Sequence, residues 1–180
     1  MLFNYEQIIG DFGSDYQVKK QLEQKKLFKQ EKGIYSDKEH VSQLEIIAKK
    51  YPDAVFTMQS AFYYQGLTDE IPDKYYLATQ KSKQRIRDKR VVQLYENSNG
   101  LMLGVEKLVV GGVELSVYDK ERLLVEPMRK RGRLRPDEYK ELIRSFRKIS
   151  DELDFAKVGD YAQELPKTSQ VMNSIKAEVL

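Results

Sequence analysis

The chemistry that this sequence most readily suggests is the binding of a polyanion, because its basic residues are concentrated in three short segments. Residues 19–32, 81–90 and 129–135 together hold 17 of the 31 Lys and Arg residues but only 3 of the 28 Asp and Glu residues. Lys and Arg neutralise phosphates and release their counterions, while acidic surroundings limit nonspecific association. The formal charge of +3 therefore conceals a segregation of charge that favours a nucleic acid as partner.

A basic run is also a common feature of an ordinary solvated surface. The alternative is therefore that the three segments lie on separate loops or helix faces and never meet. If they do meet, we expect all three to supply phosphate contacts.

One predicted helix would position the side chains that read bases. Ser14 or Asp15 can cap a helix that runs to about residue 26, with Val18 and Leu22 facing inward. The helix face carrying its larger polar side chains can reach base edges and phosphates in a major groove. The side chains assigned to DNA on this helix are Ser14, Tyr16, Gln17, Lys20 and Gln24.

A basic β-hairpin is predicted directly after this helix. Residues 27–28 and 34–35 are apolar and flank a polar turn that ends at Gly33. Lys29 and Lys32 on this hairpin could touch the DNA backbone. A helix followed by a basic hairpin is the order found in a winged helix-turn-helix, although an ordinary helix and hairpin would produce the same pattern.

The rest of the chain predicts alternating strands and then a helical tail, so the fold class is α+β. We expect a reduced winged helix-turn-helix over residues 1–37 and a larger mixed domain over residues 38–180, with a mixed sheet that includes antiparallel strands, and C-terminal helices. Gly111-Gly112 predicts a tight turn, and Pro127 should bend or end the helix capped by Asp119. Further strands are predicted at 54–57, 75–79, 91–95, 103–110 and 113–118, and further helices at 4–11, 38–50 (capped by Ser36 or Asp37), 58–65, 137–149, 154–165 and 169–179.

Enzyme chemistry finds little support in the residue types. Cysteine is absent and His40 is the only histidine, which excludes thiol nucleophiles and His-rich metal sites. Phosphate-cradling glycine motifs and the GxSxG elbow are absent as well. Asp119 and Glu121 are interpreted as a helix cap and a first-turn acid, since their spacing should not let them face each other. We expect no catalytic residues, no metal and no cofactor.

The sequence also lacks the apolar stretch of about 20 residues that spans a bilayer, and its start does not resemble a signal peptide. We therefore expect a cytoplasmic protein without a membrane partner.

Two blocks of sequence resemble the AbiEi antitoxins of abortive-infection, type IV toxin–antitoxin systems. The first is MQSAFYYQGLTD at residues 58–69, followed by Ile71-Pro72, and the second is VELSVYDKERL at residues 113–123. The resemblance extends from the basic hairpin through the helical tail. The chain departs from the family in having two predicted helices, rather than three, before the hairpin, and in Pro127, where an acidic residue is usual.

The resemblance implies an N-terminal winged helix-turn-helix and a C-terminal antitoxin domain. Such proteins bind inverted repeats of double-stranded DNA in their own promoter, act as autorepressors, and counteract a co-encoded nucleotidyltransferase-like toxin, classically without a stable complex with it. A second basic surface on the larger domain would then be formed by Lys81, Lys83, Arg85 and Arg87. The matching motif positions, which we expect to be structural, are Tyr118, Asp119, Glu121 and Arg122.

Two other functions stay open. The chain could be a protein-interaction module without DNA binding, acting on the toxin or another partner through the aromatic residues 61–64 and the tail. A weaker alternative is a nucleic-acid-processing enzyme that depends on Asp119.

Overall fold

The chain divides after Asp53 into two units, Met1–Asp53 and Ala54–Leu180, in the computed structural model, which describes every residue from Met1 to Leu180. The boundary expected after residue 37 falls inside the first unit. The reason is that Ile46, from the helix after this point, packs with Leu2 and Ile34 in one apolar cluster. Burial of this helix against the N-terminal strands holds it in the first unit.

The first unit combines a three-stranded antiparallel sheet, of order β1-β3-β2, with three helices. Asn4 caps α1 by accepting a hydrogen bond from the backbone N–H of Gln7, whose side chain accepts one in return from the N–H of Asn4. Its elements are β1 (Leu2–Asn4), α1 (Tyr5–Phe12), α2 (Asp15–Glu23), β2 (Phe28–Glu31), β3 (Ile34–Ser36) and α3 (Gln43–Lys50).

One strand of this unit was not predicted, and two predicted helix bounds were wrong. Strand β1 was not expected, because three residues carry too short a pattern. Helix α2 ends at Glu23 rather than near residue 26, since Lys25 adopts a left-handed backbone with φ of 54°. Helix α3 begins at Gln43 and is capped by Ser42, because Ser36 is buried within β3 and its hydroxyl accepts a hydrogen bond from the N–H of Lys38.

The second unit is built on a five-stranded sheet of order β6-β5-β4-β8-β7, with helices after the last strand. Together with the first unit it confirms the α+β class. Its strands are β4 (Val55–Phe56), β5 (Tyr75–Gln80), β6 (Val91–Glu96), β7 (Val105–Val110) and β8 (Val113–Tyr118), and its helices are α4 (Met58–Tyr64), α5 (Ser98–Leu101), α6 (Lys120–Arg129), α7 (Pro136–Lys148), α8 (Phe155–Glu164) and α9 (Thr168–Glu178).

This sheet is mixed, with two antiparallel and two parallel pairs, so it is not purely antiparallel. β4 pairs with β8, and β5 with β6, in parallel, whereas the β4–β5 and β7–β8 pairs are antiparallel. Alternating polarity marks a strand but carries no information about its direction. The tight turn at Gly111-Gly112 was predicted correctly, and both glycines take positive φ, 56° and 81°.

Helix α6 packs against α4, α8 and α9, and every residue from 122 to 129 in it is buried. Pro127 lies inside the helix, which continues to Arg129. A proline in the last turn removes one backbone hydrogen bond, the one that would reach the carbonyl of Leu123. None of the helices combines the length and the hydrophobicity needed to cross a bilayer.

Candidate nucleic-acid interface

Helix α2 exposes the side chains predicted to contact DNA. Val18 is its only buried residue, and Tyr16, Gln17 and Lys20 are all exposed, Tyr16 to 72%. Gln24 is exposed just beyond the helix, as its C-cap. A helix anchored along a narrow apolar stripe leaves the rest of its surface free for a partner.

Ser14 has a structural role in this helix. Its hydroxyl oxygen accepts a hydrogen bond from the backbone N–H of Gln17 at 3.4 Å and so caps α2. Of the five side chains assigned to DNA on this helix, it is therefore the one already engaged in holding the helix.

The hairpin after α2 presents the two predicted lysines. Lys29 is exposed on β2 opposite Tyr35, and Lys32 is exposed in the turn that Gly33 completes with φ of 79°. Val18 of α2, Leu27 and Tyr35 belong to one apolar cluster, so the helix and the hairpin pack as one body. The exposed cations of both elements are thus carried by a single small scaffold.

The second basic segment, residues 81–90, is the connection between the parallel strands β5 and β6, and we call it the basic strap. The strap is pinned to β6 by Gln93, whose Oε1 accepts a hydrogen bond from the N–H of Ile86 at 2.7 Å and whose Nε2 donates to the carbonyl of Gln84 at 3.2 Å. Asp88 and Arg90 pair with each other at 2.7 Å. Its exposed cations are Lys81, Lys83, Arg85, Arg87 and Lys89.

The third basic segment, which was expected to contact phosphates, is partly occupied by internal ion pairs. Arg129 is only 8% exposed, and its guanidinium pairs with Glu126 at 2.7 Å and with Glu96 at 3.4 Å. Arg131 lies over the ring of Tyr139, 4.2 Å from its centroid. The cations can be read from the sequence, but their partner cannot. Glu96 on β6, which pairs with Arg129, lies 33 residues away in the chain.

Two more cations of this segment are also engaged. Lys130 pairs with Glu126 at 2.8 Å and also contacts Glu96. Arg135 binds Glu70 through both carboxylate oxygens, at 2.9 and 2.8 Å. Of the five cations in this segment, Arg129 and Lys130 are therefore largely buried in ion pairs, whereas Arg131, Arg133 and Arg135 are exposed.

The family-motif residues contact the interior of the second unit. The hydroxyl of Tyr118 donates to the carbonyl of Leu101 at 3.0 Å, and the guanidinium of Arg122 stacks 4.5 Å from the centroid of the Tyr118 ring. Arg122 also donates to Glu126 at 2.8 Å and to the carbonyl of Gly100 at 3.0 Å. These contacts join β8 and α6 to the α5 region.

Asp119 and Glu121 converge on one lysine, contrary to the expectation that they would not face each other. The amine of Lys157 lies 2.8 Å from the Asp119 carboxylate and 3.7 Å from that of Glu121. Asp119 also accepts a hydrogen bond from the hydroxyl of Tyr161 at 2.9 Å and caps α6 through the N–H of Arg122, as predicted. The helix-spacing rule fails here because Asp119 is the N-cap and lies outside the helical geometry.

Neighbouring charges keep Lys157 and Glu126 ionised in the folded protein. The hydrogen bond from Lys157 to Asp119 raises the pKa of this amine, so it stays a cation. Burial opposes the ionisation of Glu126, but the neighbouring cations Lys130, Arg122 and Arg129 outweigh it and lower the pKa of Glu126 to about 2. A permanently charged lysine and a fully ionised carboxylate fit the holding of helices rather than proton transfer.

The aromatic helix proposed as a partner surface belongs largely to the core. Ala61 and Phe62 are fully buried. Tyr64 is half-buried and packs edge-on against Phe56, with ring centroids 5.6 Å apart. Little of this helix is left to dock a partner.

A cavity of about 380 Å³ lies in the second unit where the loop before β5 meets the start of α7. Its charged lining consists of Glu70, Asp73, Glu138, Arg133 and Arg135. Because Arg135 is bound to Glu70, the cavity does not present a single sign of charge to a phosphate. No group of three or more His, Cys, Asp or Glu side chains is arranged to hold a metal ion.

Comparison with known proteins yields a likeness of fold. No protein-family model matches the chain, and no curated protein matches it. The crystal structure of the RV2827C protein from Mycobacterium tuberculosis aligns with a TM-score of 0.68 and 13% identity, over 99% of this chain and 72% of that one. The chain therefore shares the fold of this mycobacterial protein over nearly its whole length.

Proposed function

We propose that this chain is a cytoplasmic DNA-binding antitoxin, and the autorepressor of a type IV toxin–antitoxin operon whose toxin is nucleotidyltransferase-like. It acts without enzyme activity of its own. Its N-terminal unit serves as a winged helix-turn-helix, with α2 as the recognition helix and the β2–β3 hairpin as the wing. The antitoxin part of the proposal rests on the resemblance of residues 58–69 and 113–123 to the AbiEi family.

One observation supports DNA binding above the others. Tyr16, Gln17 and Lys20 are all exposed on α2, while the shared cluster of Val18, Leu27 and Tyr35 fixes the hairpin that carries Lys29 against this helix. A protein helix needs an exposed polar face to enter a major groove, and it needs flanking cations to neutralise phosphates. Both requirements are met within 53 residues.

The test is a gel-shift titration of the promoter of the chain's own operon at several salt concentrations. Lys20→Glu combined with Lys29→Glu should weaken binding by at least tenfold and lower the salt slope by about 1 for each lost phosphate contact. Lys140→Glu with Lys148→Glu is the matched control, because both lysines are exposed on α7 and the charge change is the same. Unchanged affinity and slope in the first pair would refute the recognition-helix assignment.

The antitoxin role needs a separate test in cells. The neighbouring reading frame, if it encodes a nucleotidyltransferase-type protein, should arrest growth when expressed alone, and co-expression of this chain should restore growth. Rescue that survives the Lys20→Glu and Lys29→Glu changes would separate toxin neutralisation from repression. Rescue accompanied by co-purification of the two proteins, with no DNA binding, would favour the interaction-module alternative. No rescue would contradict the antitoxin proposal.

A further inference from the structure

The basic strap runs back along the sheet from the end of β5 to the start of β6. The parallel register pairs Tyr75 with Val91 and Gln80 with Glu96, so the strap begins at one end of these strands and must return to the other. Six-residue strands are about 20 Å long, a distance that ten residues can cover with length to spare. Residues 84–88, between turns at the two ends of the strap, form neither helix nor strand. Gln93 holds the middle of the strap against β6.

An extended segment places alternate side chains on the same side. In the strap Arg85, Arg87 and Lys89 are exposed, whereas the intervening Ile86 and Asp88 are half-buried. No ion pair or hydrogen bond engages the side chains of these three cations. Alternate residues are about 6.6 Å apart along an extended chain, a spacing comparable to that of successive phosphates along one nucleic-acid strand.

An exposed aromatic ring on β6 is hydrogen-bonded to Gln93, the residue that holds the strap. Tyr95 is 42% exposed. It points to the same side of β6 as Gln93, because residues two apart in a strand share a face. The hydroxyl of Tyr95 donates to Oε1 of Gln93 at 3.1 Å, the atom that also holds the strap through Ile86. The hydrogen bond orients the phenol ring while leaving nearly half of its residue surface open.

From this arrangement we propose that the basic strap and Tyr95 bind single-stranded nucleic acid, at a site separate from the duplex contact proposed for α2. The strap cations neutralise consecutive phosphates of one strand, and the Tyr95 ring stacks on an unpaired base. Exposed aromatic rings beside a cationic track are the general means by which proteins hold single strands.

The geometry favours a single strand over a duplex. Bases in a duplex are stacked on each other, so an exposed ring on a sheet has no base face to contact. The backbone of a single strand is flexible and can lie along the strap. Each of its successive phosphates can then contact one of the cations, which have a similar spacing. The proposal concerns only the second unit and goes beyond the promoter binding assigned to the first.

The experiment measures fluorescence anisotropy of labelled oligonucleotides on the full chain at several salt concentrations. The probes are oligothymidylate and oligouridylate of about 12 nucleotides, within the usual range of site sizes, and a DNA duplex of equal length without operator sequence. All measurements use the Lys20→Glu and Lys29→Glu background, so that failure of the proposed promoter binding does not affect the outcome. Binding of either single strand more tightly than the duplex is the expected result, and comparison of the two distinguishes DNA from RNA.

Two sets of variants test the residues. Arg85→Glu with Arg87→Glu should weaken single-strand binding by at least tenfold and reduce the salt slope by about 0.7 for each lost contact. Tyr95→Ala should weaken it by roughly 5- to 100-fold, whereas Tyr95→Phe, which keeps the ring, should retain most of the affinity. Lys140→Glu with Lys148→Glu is again the control for charge.

Three results would overturn the proposal. The first is equal or tighter binding of the duplex, which would indicate a surface for phosphates alone. The second is unchanged affinity in the arginine variant, and the third is equal affinity of the Tyr95→Ala and Tyr95→Phe variants for the single strand. The circular dichroism of each variant should match that of the parent, because the side chains of Arg85 and Arg87 are exposed and make no internal hydrogen bond or ion pair.

Discussion

The guanidinium of Arg122 donates to the carboxylate of Glu126 at 2.8 Å, and neither side chain is exposed to solvent. The pair lies one helical turn apart on α6 and is surrounded by further charges, Arg129, Lys130 and Glu96. Burial of such a network carries a large desolvation cost, so its members depend on one another.

Removal of one partner of this pair should destabilise the protein strongly. Arg122→Met keeps most of the side-chain volume but removes one of the three cations that neutralise the buried Glu126, and breaking a buried pair typically costs about 3–5 kcal/mol of unfolding free energy. Urea denaturation followed by circular dichroism measures the loss. Lys107→Met is the control, since Lys107 and Glu114 form a pair at 3.3 Å with both side chains 64% exposed, and it should cost less than about 1 kcal/mol. Equal losses of unfolding free energy in the two variants would show that burial does not raise the cost of breaking an ion pair.

The same network predicts a pH dependence of stability. The pKa of Glu126 is lowered from 4.5 to about 2 in the folded protein, because the cations around it outweigh its burial. A carboxylate with a depressed folded pKa contributes stability that is present above pH 4.5 and is lost as the pH falls towards 2. The loss from this group should be roughly 3 kcal/mol.

Urea titrations at pH values between 5 and 2 would measure this effect. Glu126→Gln should be less stable than the parent at pH 7 and should lose less stability over the acid range. Glu114→Gln, which removes an exposed carboxylate, should follow the parent curve. A parent and a Glu126→Gln curve that run parallel would show that this carboxylate is not the source of the acid sensitivity.

Gly104 should tolerate no side chain. Its φ is +73°, and a Cβ atom would lie 2.7 Å from the Cβ of Arg122 and 3.2 Å from Oδ1 of Asp119. Gly104→Ala should therefore cost about 2–5 kcal/mol, the sum of a left-handed backbone and a clash with the network. Gly111→Ala separates the two effects, because Gly111 has φ of +56° but no atom within 4 Å of its added Cβ, and should cost about 1–2 kcal/mol. Thermal denaturation compares them, and equal shifts in Tm would rule out the clash.

Lys130 should contribute to folding stability, and Lys20 to promoter binding. Lys130 contacts Glu126 and Glu96 with 14% of its side chain exposed, whereas Lys20 is exposed on α2. Lys130→Ala should lower the unfolding free energy by a few kcal/mol and leave the salt slope of promoter binding unchanged. Lys20→Ala should lower that slope by about 1 and change stability by less than about 0.5 kcal/mol. A reduced slope in folded Lys130→Ala would restore the third basic segment to the interface.

Much of the local structure could be predicted because it depends on neighbouring residues. Strand β8 has the predicted limits, Asp119 caps α6, and the glycine pair turns β7 into β8. Apolar periodicity, caps and glycine turns act over a few residues, so a sequence pattern is enough to place them. The start of α3 was misplaced because Ser36, a good cap by type, is taken up by the pairing of β3 with its neighbours.

By itself, the sequence determined the α+β class, the exposed polar face of α2 and the three clusters of basic residues. Only the tertiary structure decided what each cluster can do. Gln93 ties the strap to β6 and its cations are exposed, while Arg129 and Lys130 are neutralised by Glu96, which lies on a strand far away in the chain. The physical reason is that the free energy of a charge depends on its burial and on its partners, and both are set by contacts between residues remote in sequence.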